Sequence, residues 1–365
     1  MKKIGCLLFC LMFLVVLSFA QAEKKDESVK LNPVQKDGKW GYIDRTGKIV
    51  IQPQFAYANN FFEGLAAVEI GDKKGYIDRT GKLVIQPKFD WANPFFDGLA
   101  QVEIGKKMGY IDRTGKLINN ALFDKAGFRF YDGLAVVLLN GSYGYVDTTG
   151  KMVISPQFLL AESFFEGLAA VRIKGDWGYI NKTGKVIIPP QFEQTRSFSE
   201  GLAAVKFKKG WGYIDKTGKT VIPAQFEDAG KYMQGQALVK LNNKWGLIDK
   251  KGKILIKPQF EELGGFSEGL AIIKLNGKYG FIDTTGKIVI QPQYNFVLPF
   301  HEGLARADID HFKCGYIDKT GKMVIPSKFV SGSNFSDSIA HVLVSLDDKF
   351  GYIDKTGKYI WEPTK

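Results

Sequence analysis

The sequence predicts an all-β chain built by tandem repetition, and three observations carry that prediction. The tetrapeptide Gly-Tyr-Ile-Asp, or a near variant, begins at Gly41, Gly75, Gly109, Gly144, Gly178, Gly212, Gly246, Gly280, Gly315 and Gly351, in steps of 34 to 36 residues. Within each unit the apolar residues alternate with period two, the signature of half-buried strands. The 365 residues include 41 Gly, 28 Phe and 15 Tyr but 3 His and 3 Cys, a balance that suits turn-rich, aromatic-packed β structure and suits a metalloenzyme or a disulfide scaffold poorly. Length alone suggests two or three domains; the repeat replaces them with one small unit used ten times.

The N-terminus comes first. Lys2 and Lys3 precede an apolar run from Ile4 to Ala20, and Ala20-Gln21-Ala22 forms a small-residue cleavage site ahead of Glu23-Lys24-Lys25. That pattern predicts a secretory signal peptide over residues 1–22, with a polar linker over 23–33 and the repeat array over 34–365. Cleavage removes two lysines and no acids, taking the formal net charge from +12 to +10, and removes Cys6 and Cys10, leaving Cys314 alone. No later stretch is long enough to span a bilayer as a helix. The expected location is outside the cytoplasm: periplasmic, cell-surface or extracellular.

One unit shows how the rest are built. Leu65–Ile70 alternates and predicts a strand; Gly71-Asp72-Lys73 turns the chain; Lys74–Asp78 predicts a second strand. Arg79-Thr80-Gly81-Lys82 is a tight turn, with Gly81 suited to positive φ and Asp78 placed to bond the turn amides. Leu83-Val84-Ile85 predicts a third strand, ended by Pro87 because proline cannot donate to a ladder. Phe89 to Gly98 crosses to the next unit, with Phe95 and Phe96 as packing anchors. Each unit is thus a three-stranded antiparallel meander. Alone, it buries too little apolar surface to offset the entropy of ordering its backbone, so neighbouring units must share a core.

These motifs resemble the WG repeat, also called the KWG repeat. The Trp-Gly pair stands at Trp40-Gly41, Trp177-Gly178, Trp211-Gly212 and Trp245-Gly246; elsewhere the Trp position holds Lys74, Met108, Tyr143, Tyr279, Cys314 or Phe350. The Asp-x-Thr-Gly-Lys turn, the Pro-x-Phe element and Phe-x-x-Gly-Leu-Ala recur from about Val34 to Pro363. Ala121 and Ser327 depart from the Pro, and Ser338 from the Gly. The resemblance implies an exported bacterial β-repeat protein with no established enzymatic activity and no catalytic residues to carry over. Two architectures fit. Both terminal units look nearly complete, leaving nothing for a closing strand, which favours an open, curved, solenoid-like array; a β-propeller-like ring is the alternative.

Catalytic and metal chemistry find little support in the residues. A position repeated ten times in register, Asp from Asp44 to Asp354 except for Asn181 in one unit, reads as a turn-former. Gly218-Lys219-Thr220 imitates the end of a phosphate-binding loop, but Gly212 lies one residue too far upstream and the context is a hairpin. His311 and Cys314 lack further ligands nearby. Asp308 and Asp310 beside His311 are the sole candidates for a hydrolase of envelope polymers. The sequence therefore predicts no enzyme, no cofactor and no bound metal.

What varies between units is where binding is expected. The residue after the Val of Leu-Ala-x-Val reads Glu69, Glu103, Leu138, Arg172, Lys206, Lys240, Lys274, Asp308 and Leu343. Arg172, Lys206, Lys240 and Lys274, joined by Lys174 and Lys208, form a candidate polyanion-binding row. The residue after the loop Phe reads Phe62, Phe96, Tyr131 and Phe165 in the first four units, then mostly Ser, a candidate aromatic contact row. The expected function is a non-enzymatic binding or scaffold protein engaging a protein or an acidic glycan of the envelope, not nucleic acid; the alternative is a purely structural surface protein.

Overall fold

The computed structural model describes residues 30–310, 313–345 and 349–364. Residues 1–22, expected to be a signal peptide, with Cys6 and Cys10, and His311 lie outside the described residues. The first unit contributes β1 (Asn32–Lys36), β2 (Lys39–Ile43) and β3 (Ile49–Phe55); the second contributes β4 (Tyr57–Ala58), β5 (Leu65–Ile70), β6 (Lys73–Asp78) and β7 (Leu83–Phe89). From the second unit on, each meander gains a strand ahead of its long ones, two residues in all but the eighth unit, placed within the segment expected to be a plain crossover. Asn59 N–H bonding to Ala67 O, and Phe62 and Leu65 exchanging backbone bonds, hold that short edge.

The third long strand does not end at its proline. β7 runs through Pro87 to Phe89 because the pairing jumps: Lys74 faces Phe89 while Tyr76 faces Ile85. Two residues on β6 oppose four on β7, a bulge that lifts the Gln-Pro pair out of the ladder, where a missing N–H costs nothing. The repeated Gly lies under this bulge. A Cβ on Gly178 would stand 2.5 Å from Ile188 O and 2.8 Å from Pro190 N. The third unit, where Ala121 stands in the proline position, replaces its third strand by a 3-10 turn at Ile118–Asn120.

The repeated Asp forms its turn. Asp215 Oδ1 accepts from Thr217 N at 2.9 Å, Thr217 Oγ1 at 2.6 Å and Lys219 N at 3.1 Å, and Asn181 does the same with Thr183 and Lys185. These bonds, the threonine hydroxyl's first, hold the Asp215 carboxyl below its ordinary range. Asp215→Ala is expected to lower the urea unfolding midpoint, with Asp215→Asn closer to wild type because Asn181 already serves. Equal shifts of the urea midpoint for the two variants would contradict this.

The ten sheets are blades that close into a ring, not an open array. The buried apolar clusters number ten among the described residues. Nine join successive blades, as Tyr42, Ile51 and Phe55 of blade 1 pack on Ala66, Val68 and Ile77 of blade 2. The tenth joins blade 10 to blade 1 through Ile339, Tyr352, Val34 and Ile43. The repeated Tyr shows the same continuity. Tyr42 Oη donates to Asn59 O at 2.7 Å in the next blade, and most later units repeat this over 17 residues. Tyr352 Oη donates to Pro33 O at 2.9 Å, across 319 residues. Pro33 O is the counterpart of Ala67 O, which elsewhere receives the short strand's N–H. Trp40 of blade 1 stacks on Phe350 of blade 10, centroids 5.4 Å apart. The expectation of an open array rested on the lack of a leftover strand; the seam needs none, because side chains close it as they join every other pair of blades.

Equivalent positions of neighbouring blades touch along the short strands: Ser199 Oγ donates to Tyr232 O at 2.7 Å and Arg196 Nε to Ala229 O at 2.7 Å. Blades converge most closely toward the ring axis, so the short strands line the inner rim. The third strands form the outer rim, with Val50, Val84 and Val153 exposed. The turns after the short strands and after the second strands share one face, the upper; the hairpin turns between first and second strands, and the links between blades, share the lower face.

Candidate functional site

The upper face is knitted by a repeated carboxylate latch. Glu166 Oε2 accepts from Gly201 N at 3.0 Å and pairs with Lys216 Nζ at 3.0 Å, both in the next blade. Glu200 does this with Gly235 N and Lys250, Glu268 with Gly303 N and Lys319, and Glu302 with Ser338 N and Lys355. Asp337 and Arg45, 4.0 Å apart, repeat the ion pair across the seam. Burial raises the Glu166, Glu200 and Glu268 carboxyls, but the lysine and amide hydrogen bonds outweigh it and hold all three below the usual range. These loop acids thus cap the following blade. Glu63, Glu166 and Glu200 also sit at positive φ, so each combines a strained turn with an interblade bond.

The aromatic row forms an arc on the upper inner rim. Phe62 and Phe96 lie 5.5 Å apart and Tyr131 and Phe165 4.8 Å apart, all four half-buried. The gap between the pairs is filled by residues the sequence pattern did not mark. Phe128 meets Phe96 edge-on at 5.2 Å, and the Arg129 guanidinium lies 5.2 Å from the Phe96 ring and 4.9 Å from the Tyr131 ring. Phe128 is 43% exposed. At the far end Lys231 of blade 7 reaches past blade 6 to within 4.9 Å of the Phe165 ring, which the small Ser199 between them permits. Burial pushes the Lys231 ammonium below its ordinary range. A departure from the repeat gave the missing signal: the fourth unit writes Gly-Phe-Arg-Phe-Tyr where its neighbours carry one residue fewer.

The cation row stands at equivalent positions on the first strands of blades 5 to 8, directly opposite the Trp position. Arg172 faces Trp177, Lys206 faces Trp211, Lys240 faces Trp245 and Lys274 faces Tyr279. Lys206 lies 3.8 Å from Glu193, Lys274 pairs with Glu262 at 3.0 Å, and Arg172 Nε donates to Gly175 O at 2.7 Å. All four are half-buried, while Lys174 and Lys208 are exposed on the lower hairpin turns. The sequence carried a clue to this placement: where the Trp position holds Lys74, the facing residue is Glu69, and the two pair at 2.7 Å.

The remaining candidates serve packing. Cys314 is fully buried, and burial pushes its thiol up to about 11. Asp308 is held by Arg306 through paired bonds of 2.8 and 2.7 Å. Among the described residues no group of three or more His, Cys, Asp or Glu is arranged to hold a metal.

Nine segments, residues 40–73, 75–107, 108–143, 143–176, 177–210, 211–245, 245–279, 279–310 and 315–349, match the WG containing repeat. The chain belongs to the WG-repeat family. No curated protein matches its sequence. Among solved structures, this WG-repeat chain is similar to a eukaryotic initiation factor at 12% identity and TM-score 0.52, covering 83% of this chain and 97% of that one. It is also similar to Hsv2p of Kluyveromyces lactis at 10% identity, TM-score 0.37, covering 60% and 89%. PorZ, a bacterial surface component of the type-IX secretion system of Porphyromonas gingivalis, is similar at 12% identity, TM-score 0.29, covering 92% and 52%. At these identities the likeness concerns the fold. No described helix is long and apolar enough to cross a membrane.

Proposed function

We propose that this WG-repeat ring is an exported, non-enzymatic binding scaffold that holds a protein partner on its upper inner rim. The observation that carries the reading is the aromatic arc from Phe62 to Phe165 with Arg129 set between its rings. The later blades show that the fold does not require it, since Ser199, Ser267 and Ser336 occupy the same position. Half-exposed aromatic rings with an intercalated guanidinium are the composition of protein-interface hot spots. The acids and the thiol that an enzyme would need are engaged in turns, latches and core.

The test uses serine, the residue the repeat itself supplies. The mature protein is expected to retain a discrete protein species from envelope fractions. The triple variant Phe96→Ser, Tyr131→Ser, Phe165→Ser is expected to weaken retention by about a hundredfold, at roughly 2 kcal/mol for each hot-spot ring lost and with incomplete additivity. Retention of the same species at wild-type affinity by a folded triple variant would sink the reading.

A further inference from the structure

On the lower face one position is acidic in five blades and holds Ala56, Leu159, Asn295 or Val330 in the others. After the Phe that ends each third strand the chain carries an acid at Asp90, Asp124, Glu193, Glu227 and Glu261. These acids cap the hairpin turn of the blade they open: Asp90 accepts from Gly105 N at 2.7 Å, Asp124 from Asn140 N at 2.8 Å, and Glu261 from Gly277 N at 3.0 Å. Asp90 and Asp124 also neutralise Lys73 and Lys107. Blade 5 opens instead with Leu159-Leu160, which are 60% and 38% exposed. Its hairpin turn carries Lys174, and Arg172 takes over the turn by bonding Gly175 O. The next blade adds Lys208-Lys209 at the same turn. Lys174, Lys208 and Lys209 are exposed and have no carboxylate partner among the described residues. Lys208 and Lys209 overhang a shallow cleft of about 480 Å³ that includes Gln191, Thr220 and Pro223.

We infer that this sector of the lower face, blades 5 and 6, docks on an anionic lipid surface. The charge is complementary to lipid phosphates: three exposed ammonium groups without a carboxylate partner among the described residues stand on adjacent turns and outnumber the exposed acids beside them, Asp176 and Glu193. The apolar part favours a bilayer over a soluble polyanion. Leu159 and Leu160 are exposed beside the lysines; a sulfated or phosphorylated chain gives them nothing to bury against, whereas the interfacial region of a bilayer does. The cleft beneath Lys208 and Lys209 supplies donors from Gln191 and Thr220 for a headgroup. The site is on the face opposite the aromatic arc and does not depend on it.

The experiment is sedimentation of the full mature chain with vesicles of phosphatidylcholine, with and without phosphatidylglycerol. Binding is expected to the anionic vesicles alone and to weaken steeply as salt shortens the screening length. Two repeat-native variants keep the fold. Lys174→Asn, Lys208→Asn, Lys209→Asn, which copies Asn276 and Asn242-Asn243, is expected to weaken binding about a hundredfold, from roughly one decade or less per lysine near the surface. Leu159→Asn, Leu160→Ser, which copies Asn295 and Ser331, is expected to weaken it about tenfold. Both should keep wild-type unfolding midpoints and wild-type retention of the upper-face partner. Failure to bind anionic vesicles, equal binding to neutral ones, unchanged binding by the leucine variant, or equally tight capture by beads bearing dextran sulfate or polyglutamate overturns the inference.

Discussion

Gly178→Ala is expected to lower stability by about 3 kcal/mol or more, the upper end for overpacking, although it adds one methyl group. The added Cβ would meet Ile188 O at 2.5 Å and Pro190 N at 2.8 Å, and both neighbours are backbone that a rotamer change cannot move. Relief requires the bulge to rise, which separates Trp177 from Phe192 and opens the third strand of blade 5. Gly167→Ala is the control. Gly167 has φ of 85° but nothing within 4 Å of an added Cβ, so it bears left-handed strain alone, about 1 kcal/mol. Urea unfolding of the two variants distinguishes them: similar midpoint shifts would mean that the repeated glycine is conserved along the chain for turn geometry and not for close approach. The same packing explains why Gly and Pro recur ten residues or so apart. The bulge and the glycine beneath it are two halves of one contact, and blades 6 and 9 keep it with Ala224 and Ser327 in the proline position and a proline one residue earlier.

Strand identity, turn chemistry and period were legible in the sequence because each is local. The Asp-x-Thr-Gly-Lys turn closes within five residues, and the alternation of Leu65–Ile70 needs no partner blade to be seen. Closure was not legible, because it is set by a small rotation between blades that accumulates over ten copies. Trp40 and Phe350 occupy equivalent positions, and nothing in their local sequences says they meet. The arc was half legible: Phe62, Phe96, Tyr131 and Phe165 fall in register, but Phe128, Arg129 and Lys231 join them through a one-residue insertion and a reach across a blade. The register of the cation row was legible, but its partners were not, because Glu69–Lys74 and Lys274–Glu262 pair across strands. Leu159-Leu160 drew no notice because an exposed apolar pair differs from a buried one only in three dimensions.

Acid is expected to loosen the ring first at its seam. His341 on blade 10 lies 4.8 Å from the Phe350 ring and 5.4 Å from the Tyr352 ring, and burial lowers its imidazole from 6.5 to about 4. The Tyr352 hydroxyl beside it stays protonated, being raised by burial. Below 6.5 the unfolded chain takes up a proton that the folded seam refuses. Stability is therefore complete above pH 6.5 and falls toward pH 4, by about 3 kcal/mol if the whole shift is expressed. The latch carboxylates act in a lower window: Glu166, Glu200 and Glu268 are depressed in the fold, so their contribution fades only as pH drops through and below the ordinary glutamate value of 4.5. His341→Leu, which copies Leu238 at the equivalent position of blade 7, separates the two. It is expected to flatten the profile between pH 6.5 and 4.5 and leave the deeper acid loss intact. Phe350→Ala, by contrast, should cost about 3–5 kcal/mol across the whole range, since it removes the ring on which both Trp40 and His341 pack. Hydrogen exchange locates the effect: between pH 6.5 and 4.5, amides of blades 1 and 10 should lose protection before those of blades 5 and 6. Uniform loss around the ring, or an unchanged pH profile in His341→Leu, would place the acid sensitivity in the carboxylate latches that recur between blades.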